Sequence, residues 1–265
     1  MKIPSDARAV VTGAGSGFGR AVSLALGKRG GRLVVSDVNL ETAEETAKMI
    51  GSPERARAMQ VDVRDPAQVK AQIDAAADAW GGLDVIVNNA GVAVVGRVGD
   101  VPIDDWRFEV EINLMGVIYG CHFAAPIMRK QERGFILNVA SAAGLLSAPM
   151  MGPYNVTKAG VVALSETMAG ELMGSGVSVS VLCPTFFRTN IHKTQRAHGM
   201  PDRASKLVTE AKWSADEIAT VALKGLERGT LYVIPQTDGK LFWRAKRLMG
   251  GGFYSMAGRV AKRFA

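Results

Sequence analysis

The sequence predicts an α/β fold: one doubly wound domain with a mostly parallel, seven-stranded sheet and helices on both faces. Three observations predict it. Runs such as "RAVVT" and "RLVVSD" are continuously apolar rather than alternating, which suits strands buried on both faces. Segments with apolar residues at helical spacing separate these runs, and parallel neighbours require such crossovers. A chain of 265 residues with 48% hydrophobic content can bury a sizeable core, and no fixed-period repeat or low-complexity linker divides it.

The elements follow in order. "ARAVVTG" (7–13) reads as the first strand and ends in a glycine-rich turn, after which "GRAVSLALGKRG" (19–30) has helical spacing and a glycine stop. "RLVVSD" (32–37) is a strand, 40–50 a helix, "RAMQVDV" (57–63) a strand, 66–80 a helix and "LDVIVNN" (83–89) a strand. A loop over 91–103 leads to a long helix near 104–130 and the strand "GFILNVAS" (134–141). Then come the helix opened by "PYNVTK" (153–158), the strand "VSVSVLC" (177–183), a polar segment over 189–212, a helix from about 215 and the strand "TLYVIP" (230–235). Composition changes after Pro235, so the expected organisation is one domain over 1–235 with a basic amphipathic extension over 236–265.

Charge narrows the function. The formal net charge is +7, yet Lys240, Arg244, Lys246, Arg247, Arg259, Lys262 and Arg263 lie after Pro235 with no acidic residue among them. Without those, the body is neutral, and no RNA-binding motif accompanies the tail, so nucleic acid is not an expected partner. Leu241, Phe242, Leu248, Phe253, Met256, Val260 and Phe264 recur between the cations at intervals of three and four, which describes basic amphipathic helices. Such helices suit an anionic membrane surface, a subunit contact or docking on their own domain. Cys121 and Cys183 sit in apolar runs far apart, with no disulfide framework or metal knuckle, and a reducing, cytoplasmic compartment fits. No secretory signal is apparent, and no window of 18 apolar residues is free of charge.

Four constellations carry chemistry. "TGAGSGFG" (12–19) places Gly13, Gly17 and Gly19, with Ser16 and Phe18 between them, where the first strand becomes a helix; such a turn lets backbone N–H groups approach a pyrophosphate. Asp37 closes the second strand, where a carboxylate accepts both hydroxyls of an adenosine ribose and repels a 2′-phosphate, or else caps the next helix. Asp62 and Val63 close the third strand, where an adenine edge would lie. "NNAG" (88–91) ends the fourth strand, with Asn89, Ala90 and Gly91 on the crevice where such sheets bind ligands and Asn88 tying strand ends together. The last pairs Ser141 with Tyr154 and Lys158, the latter two stacked at i and i+4 on one helix face.

In order and spacing, the glycine motif, Asp37, "NNAG", Asn113, Ser141 and the YxxxK of Tyr154 and Lys158 resemble the classical short-chain dehydrogenase/reductase family over about residues 7–235. The resemblance implies a Rossmann-type fold and an NAD(P)-dependent oxidoreductase. It implies Tyr154 as acid/base, Ser141 as the hydroxyl that polarises a carbonyl, Lys158 as the cation on the nicotinamide ribose and Asn113 as the holder of a relay water. A phenol has pKa ~10, and positive charge from Lys158 and an oxidised nicotinamide is expected to lower that of Tyr154. Pro184 and Thr189 complete the expected cofactor contacts, Thr189 meeting the carboxamide. NAD(H) is the expected cofactor, with NADP(H) possible.

Two departures stand out. The family's usual Pro-Gly is here Pro184-Thr185, expected to constrain the backbone, and its glycine-rich, tetramer-building ending is replaced by the basic tail, which points to a dimer or an atypical tetramer. His122, His192 and His198 form no nucleophile–base motif, there is no GxSxG, and no His/Cys/carboxylate cluster has metal-ligand spacing. His122 is expected on a helix, and His192 and His198 on a lid over 190–212. Phe186, Phe187, Met150, Met151 and Met200 suggest an apolar pocket for a bulky or lipid-like secondary alcohol or ketone. The alternative is a non-catalytic cofactor-binding scaffold or regulator of the same fold.

Overall fold

A computed structural model describes residues 1–191, 195–198 and 203–262. His192 and Met200, and Arg263 and Phe264 of the tail, lie outside the described residues, and so do the side chains of Val260 and Lys262.

The chain runs β1 (Arg8–Thr12), α1 (Gly17–Lys28), β2 (Arg32–Asp37), α2 (Leu40–Ile50), β3 (Ala56–Gln60), α3 (Pro66–Trp80), β4 (Val85–Asn88), β5 (Val94–Val95) and α4 (Ile103–Val110). A π-helical turn (Glu111–Met115) passes into α5 (Gly116–Lys130). After it come β6 (Gly134–Val139), α6 (Ala142–Leu146), α7 (Gly152–Glu171), β7 (Val177–Leu182), β8 (Arg196–Ala197), α8 (Arg203–Thr209), α9 (Ala215–Glu227), β9 (Tyr232–Val233), α10 (Thr237–Met249) and α11 (Gly251–Lys262).

Seven strands form one sheet in the order β3-β2-β1-β4-β6-β7-β9, and every pairing is parallel. Strand alternation explains the two cores. Val11, Val35, Val87, Leu137 and Leu182 point to one face and meet Val22 and Leu26 of α1 and Ile218 and Leu223 of α9. Val10, Val34, Ile86, Ile136 and Val181 point to the other and meet Ile73 of α3, Met128 of α5 and Val161 of α7. Both faces are therefore buried, and the continuous apolar runs have their physical reason. The strand order reverses between β1 and β4, which opens a crevice at their carboxyl ends.

Several expected boundaries move. The strand expected over 57–63 stops at Gln60, because Asp62 turns back to accept from the backbone N–H of Arg64 at 3.0 Å. The expected loop over 91–103 contains β5, and the polar segment contains its partner β8 and α8. The helix expected near 104–130 is present as one continuous run, Ile103–Lys130, with the π-helical turn inside it. By length and composition the run Ile103–Lys130 suffices to cross a membrane; here α5 packs on α3, β4 and β6. In the tail, α10 follows β9 and docks on the body: Trp243 lies against Tyr232 with ring centroids 5.0 Å apart, and Lys246 Nζ donates to the Leu145 carbonyl at 2.6 Å.

Candidate active site

A cleft of about 1640 Å³ follows the carboxyl ends of the strands, from Asp37 and Asn39 at one end to Met150 and Met151 at the other. Pockets for one drug-sized ligand occupy roughly 300–1,000 Å³, so this cleft has room for two ligands side by side.

Its first end is built from glycine and tied down by side chains. Gly13 and Gly17 hold φ of 62° and 52° in the left-handed region, where a side chain is strained. A Cβ on Gly19 would meet the Gly13 carbonyl oxygen at 2.2 Å, so the turn closes only with glycine there. Ser16 is the extended N-cap of α1 and makes no side-chain capping bond, while Phe18 is buried and faces Phe187 edge-on at 6.5 Å. The Asn89 amide donates to the carbonyls of Thr12 and Gly13 at 2.8 and 3.0 Å, and the Thr12 hydroxyl accepts from the backbone of Asn89 and Ala90. Asn88 faces inward and donates to Asn138 Oδ1 at 2.8 Å, so "NNAG" serves both the sheet and the crevice.

Asp37 is not the cap of the following helix. Asn39 takes that place, accepting from the backbone of Thr42, and Asp37 instead accepts from the backbone N–H groups of Gly15 at 2.9 Å and Asn39 at 3.1 Å. Arg20 donates to the Gly15 carbonyl, but its guanidinium is paired with Glu45 at 2.8 Å. Asp62 is held by Arg64, whose guanidinium keeps the carboxyl below its usual pKa, and Val63 is buried beside it.

At the middle of the cleft, β6, α6 and α7 bring Ser141, Tyr154 and Lys158 together. Ser141 caps α6, accepting from the Ala143 backbone at 3.1 Å, and its hydroxyl lies close enough to the Tyr154 phenol to favour the ionised form. Lys158 is buried, donates to the Val139 carbonyl at 2.9 Å and lies 5.6 Å from the Tyr154 ring centroid. The stacking expected from the i, i+4 spacing is present. Burial pushes the phenol up to about 12, although the side chain keeps some contact with solvent through the cleft. Burial also pushes Lys158 down to about 8. Desolvation, with the nearby Glu109 carboxyl adding to it, outweighs the Ser141 hydrogen bond at the phenol.

Asn113 lies in the π-helical turn, fully buried, and clasps Val92: its Oδ1 accepts from the Val92 N–H at 2.8 Å and its Nδ2 donates to the Val92 carbonyl at 2.9 Å. Gly91 lies between Asn113 and Lys158; a Cβ there would be 3.1 Å from Asn113 Oδ1 and 3.5 Å from Lys158 Nζ. Glu109, which sequence reasoning missed, is also buried and accepts from Asn113 Nδ2 at 3.0 Å. Its i, i+4 spacing to Asn113 was the available signal, hidden in an acidic stretch that reads as a solvated helix face.

The far end is apolar. Ser147 and Met150 hold left-handed φ of 55° and 68°, and the Met150 carbonyl accepts from Gly96 at 2.7 Å. Strained non-glycine residues need such over-determination by their surroundings. Met150, Met151, Phe186 and Phe187 all line the cleft. Pro184 anchors α6 through a bond from Ala142 at 2.9 Å, and Thr189 sits over the glycine turn, its Oγ1 2.9 Å from where a Gly17 Cβ would stand. Thr185 does not take the left-handed conformation that favours glycine. Its N–H donates to Gln236 Oε1 at 3.0 Å and its hydroxyl to Asp238 at 3.3 Å, which fastens α10 beside the cleft. His122 is an exposed residue of α5. His198 lines the cleft and hydrogen-bonds Asp105 at 2.7 Å, tying the segment after β8 to α4.

Glycines at which any Cβ would collide, a capless α1 N-terminus and the Asp37 carboxylate fit a dinucleotide. Comparison with known proteins agrees. Residues 7–199 match the short chain dehydrogenase family. A D-threitol dehydrogenase of Mycolicibacterium smegmatis is 35% identical over 217 residues, covering 81% of this chain and 84% of that one. A CLA biosynthesis dehydrogenase/reductase of Lactiplantibacillus plantarum is 28% identical over 95% of this chain and 96% of its own length. A crystal structure of a short chain dehydrogenase/reductase from Burkholderia phymatum in complex with NAD superposes with a TM-score of 0.88 at 32% identity, covering 94% of this chain and 95% of that one. With the crevice, its order of residues and these likenesses in hand, the chain belongs to the short chain dehydrogenase family.

Proposed function

We propose that this oxidoreductase, which like its family acts on CH–OH groups, moves a hydride between NAD(H) and an apolar, lipid-like secondary alcohol or its ketone, with Tyr154 as acid/base. The observation that carries it is the convergence of Ser141, Tyr154 and Lys158 midway along a cleft with a glycine turn and a carboxylate at one end and methionine and phenylalanine at the other. Gly13, Ser16, Gly17, Phe18, Gly19, Asp37, Asp62, Val63, Asn89, Ala90, Gly91, Pro184 and Thr189 would hold the dinucleotide, together with Tyr154 and Lys158. When bound, the nicotinamide supplies or takes up the hydride.

The chain's own residues handle the proton. In reduction the Ser141 hydroxyl donates a hydrogen bond to the carbonyl oxygen while Tyr154 Oη gives up its proton to that oxygen; in oxidation the same proton returns. A phenol pushed to about 12 is held protonated at neutral pH, the form that reduction uses, so positive charge near it governs how readily the phenolate needed for oxidation forms. Lys158 holds that charge, and the apolar end excludes water. Asp37 favours NAD(H), because a 2′-phosphate would meet its charge while the guanidinium groups of Arg20 and Arg64 already answer Glu45 and Asp62.

The tail adds a partner. Leu241 and Leu248 are 59% and 87% exposed on α10, among Lys240, Arg244 and Arg247, while Phe242 lines the cleft. We assign residues 236–265 as an extension whose outer face rests on an anionic membrane surface, from which an apolar substrate reaches the site. A homo-oligomer built through the same face is the competing use.

The test is a panel of secondary alcohols and ketones, polar and apolar, with both cofactors, followed by nicotinamide absorbance. Turnover is expected with apolar members and NAD(H). Tyr154→Phe should keep cofactor binding and circular dichroism while turnover falls about 100-fold to 10,000-fold. Activity retained in that variant would remove the mechanism, and cofactor binding without turnover on any member would favour the scaffold.

A further inference from the structure

Three carboxyl or ammonium side chains are buried among the described residues: Asp84, Glu109 and Lys158. Asp84 is answered by Arg8 and Arg133, each at 2.7 Å. Glu109 and Lys158 have no such partner; Glu109 holds the Asn113 amide, and Gly91 has that amide and Lys158 on one side. Glu109 Oε1 accepts from Asn113 Nδ2 at 3.0 Å and from the Val94 N–H at 3.3 Å. Its Oε2 is enclosed and has no hydrogen-bond partner among the described residues. Across Asn113, the Oδ1 of that amide and Lys158 Nζ converge on the face of Gly91. The elements packed against α4 offer little else: α7 presents Tyr154 and Lys158, β5 only valine, and the π-helical turn Glu111, which is exposed.

We propose that Glu109 is a positioning residue of this dehydrogenase, which fixes the Asn113 amide and acts as the buried counter-charge that keeps Lys158 an ammonium at alkaline pH. Buried ions persist where an opposite charge answers them, and among the described residues Lys158 otherwise has the Val139 carbonyl, the Tyr154 ring and the buried Cys183 thiol. Burial raises Glu109 to about 8 and lowers Lys158 to about 8, while each charge favours that of the other. The carboxylate forms over the same range in which burial takes the proton from Lys158, and its charge holds the ammonium to higher pH than burial alone would allow. The role rests on Tyr154 and Lys158 being the catalytic pair proposed above.

The experiment compares kcat and kcat/KM against pH for alcohol oxidation by the parent and by Glu109→Gln, which still accepts from Asn113 but carries no charge. Rates near neutrality should be close to the parent's, and the alkaline limb should move to lower pH by on the order of one unit. Superimposable profiles would overturn the role. An infrared titration of the parent decides the matter even if the variant does not fold: a protonated carboxyl C=O band should be present at neutral pH and vanish as pH passes about 8. Absence of that band also overturns it. Failure here with turnover still abolished in Tyr154→Phe removes Glu109 alone, whereas an active Tyr154→Phe removes the underlying mechanism.

Discussion

Asp37 illustrates how one side chain has two tasks. Its carboxylate braces the glycine turn through the Gly15 N–H and its own strand end through the Asn39 N–H, so both of its oxygens are oriented before any ligand arrives. A carboxylate fixed in this way should discriminate by repulsion, since its charge is spent on backbone donors and not on a cation. Asp37→Ala should therefore improve the NADP(H)/NAD(H) ratio of kcat/KM, and added salt should shrink the parent's preference because the residue is partly exposed. A parent that uses both cofactors equally would show that selectivity lies elsewhere. The loss of the Gly15 bond should also lower thermal stability modestly, by about 0.5–1.5 kcal/mol for one hydrogen bond.

At the scale of elements, the join of α4, the π-helical turn and α7 concentrates the buried charge. A turn of π-helix inserts an extra residue and redirects the side chains after it, and such turns collect at functional sites. Here it points Asn113 inward at Val92 while Glu111 remains at the surface. Burying Glu109 beside it has a consequence for stability. The carboxyl titrates from 4.5 in an exposed chain to about 8 when folded, so between those values the native state holds the extra proton. Stability falls with pH wherever the native state binds more protons, so this contribution is fully present below pH 4.5 and lost as pH rises through about 8. Lys158 has the opposite sense: its folded value of about 8 lies below 10.5, so its term recovers stability across that interval. The melting temperature of the cofactor-free protein should carry a shallow minimum near pH 8 from this pair. Glu109→Gln should flatten the acid side of it, and a variant whose slope matches the parent's between pH 5 and 8 would contradict the buried-carboxyl account.

For the whole molecule, the tail joins the site to the surface. Trp243 on Tyr232, Lys246 on the Leu145 carbonyl and Thr185 on Asp238 fasten α10 to the body, and Arg247 covers Trp243 at 5.2 Å. The same helix turns Leu241 and Leu248 outward, and Met249, Tyr254 and Met256 extend that exposed surface into α11. Removing the tail would uncover Tyr232, so a milder change is the better probe. Leu248→Glu, at a side chain 87% exposed, should leave folding and activity on a soluble substrate intact and reduce pelleting with anionic vesicles at low salt. Parent protein that does not pellet would end the membrane assignment, and a parent dimer that becomes monomeric in the variant would assign this face to a subunit contact.

The sequence by itself determined the parallel sheet, its helical crossovers and the order of the cleft's main residues. These depend on short-range rules: strand and helix periods, glycine where the backbone must turn, and Tyr154 and Lys158 one turn apart. Tertiary structure alone decided the rest. Its i, i+4 spacing to Asn113 aside, nothing local distinguishes Glu109 from the acids around it, and packing against β5 and α7 takes it out of water. Thr185 reads as a lost glycine until Gln236 and Asp238, some fifty residues on, supply its partners. The pairing of Tyr154 with Lys158 is visible in spacing, whereas the desolvation that raises the phenol and lowers the ammonium depends on everything folded around both.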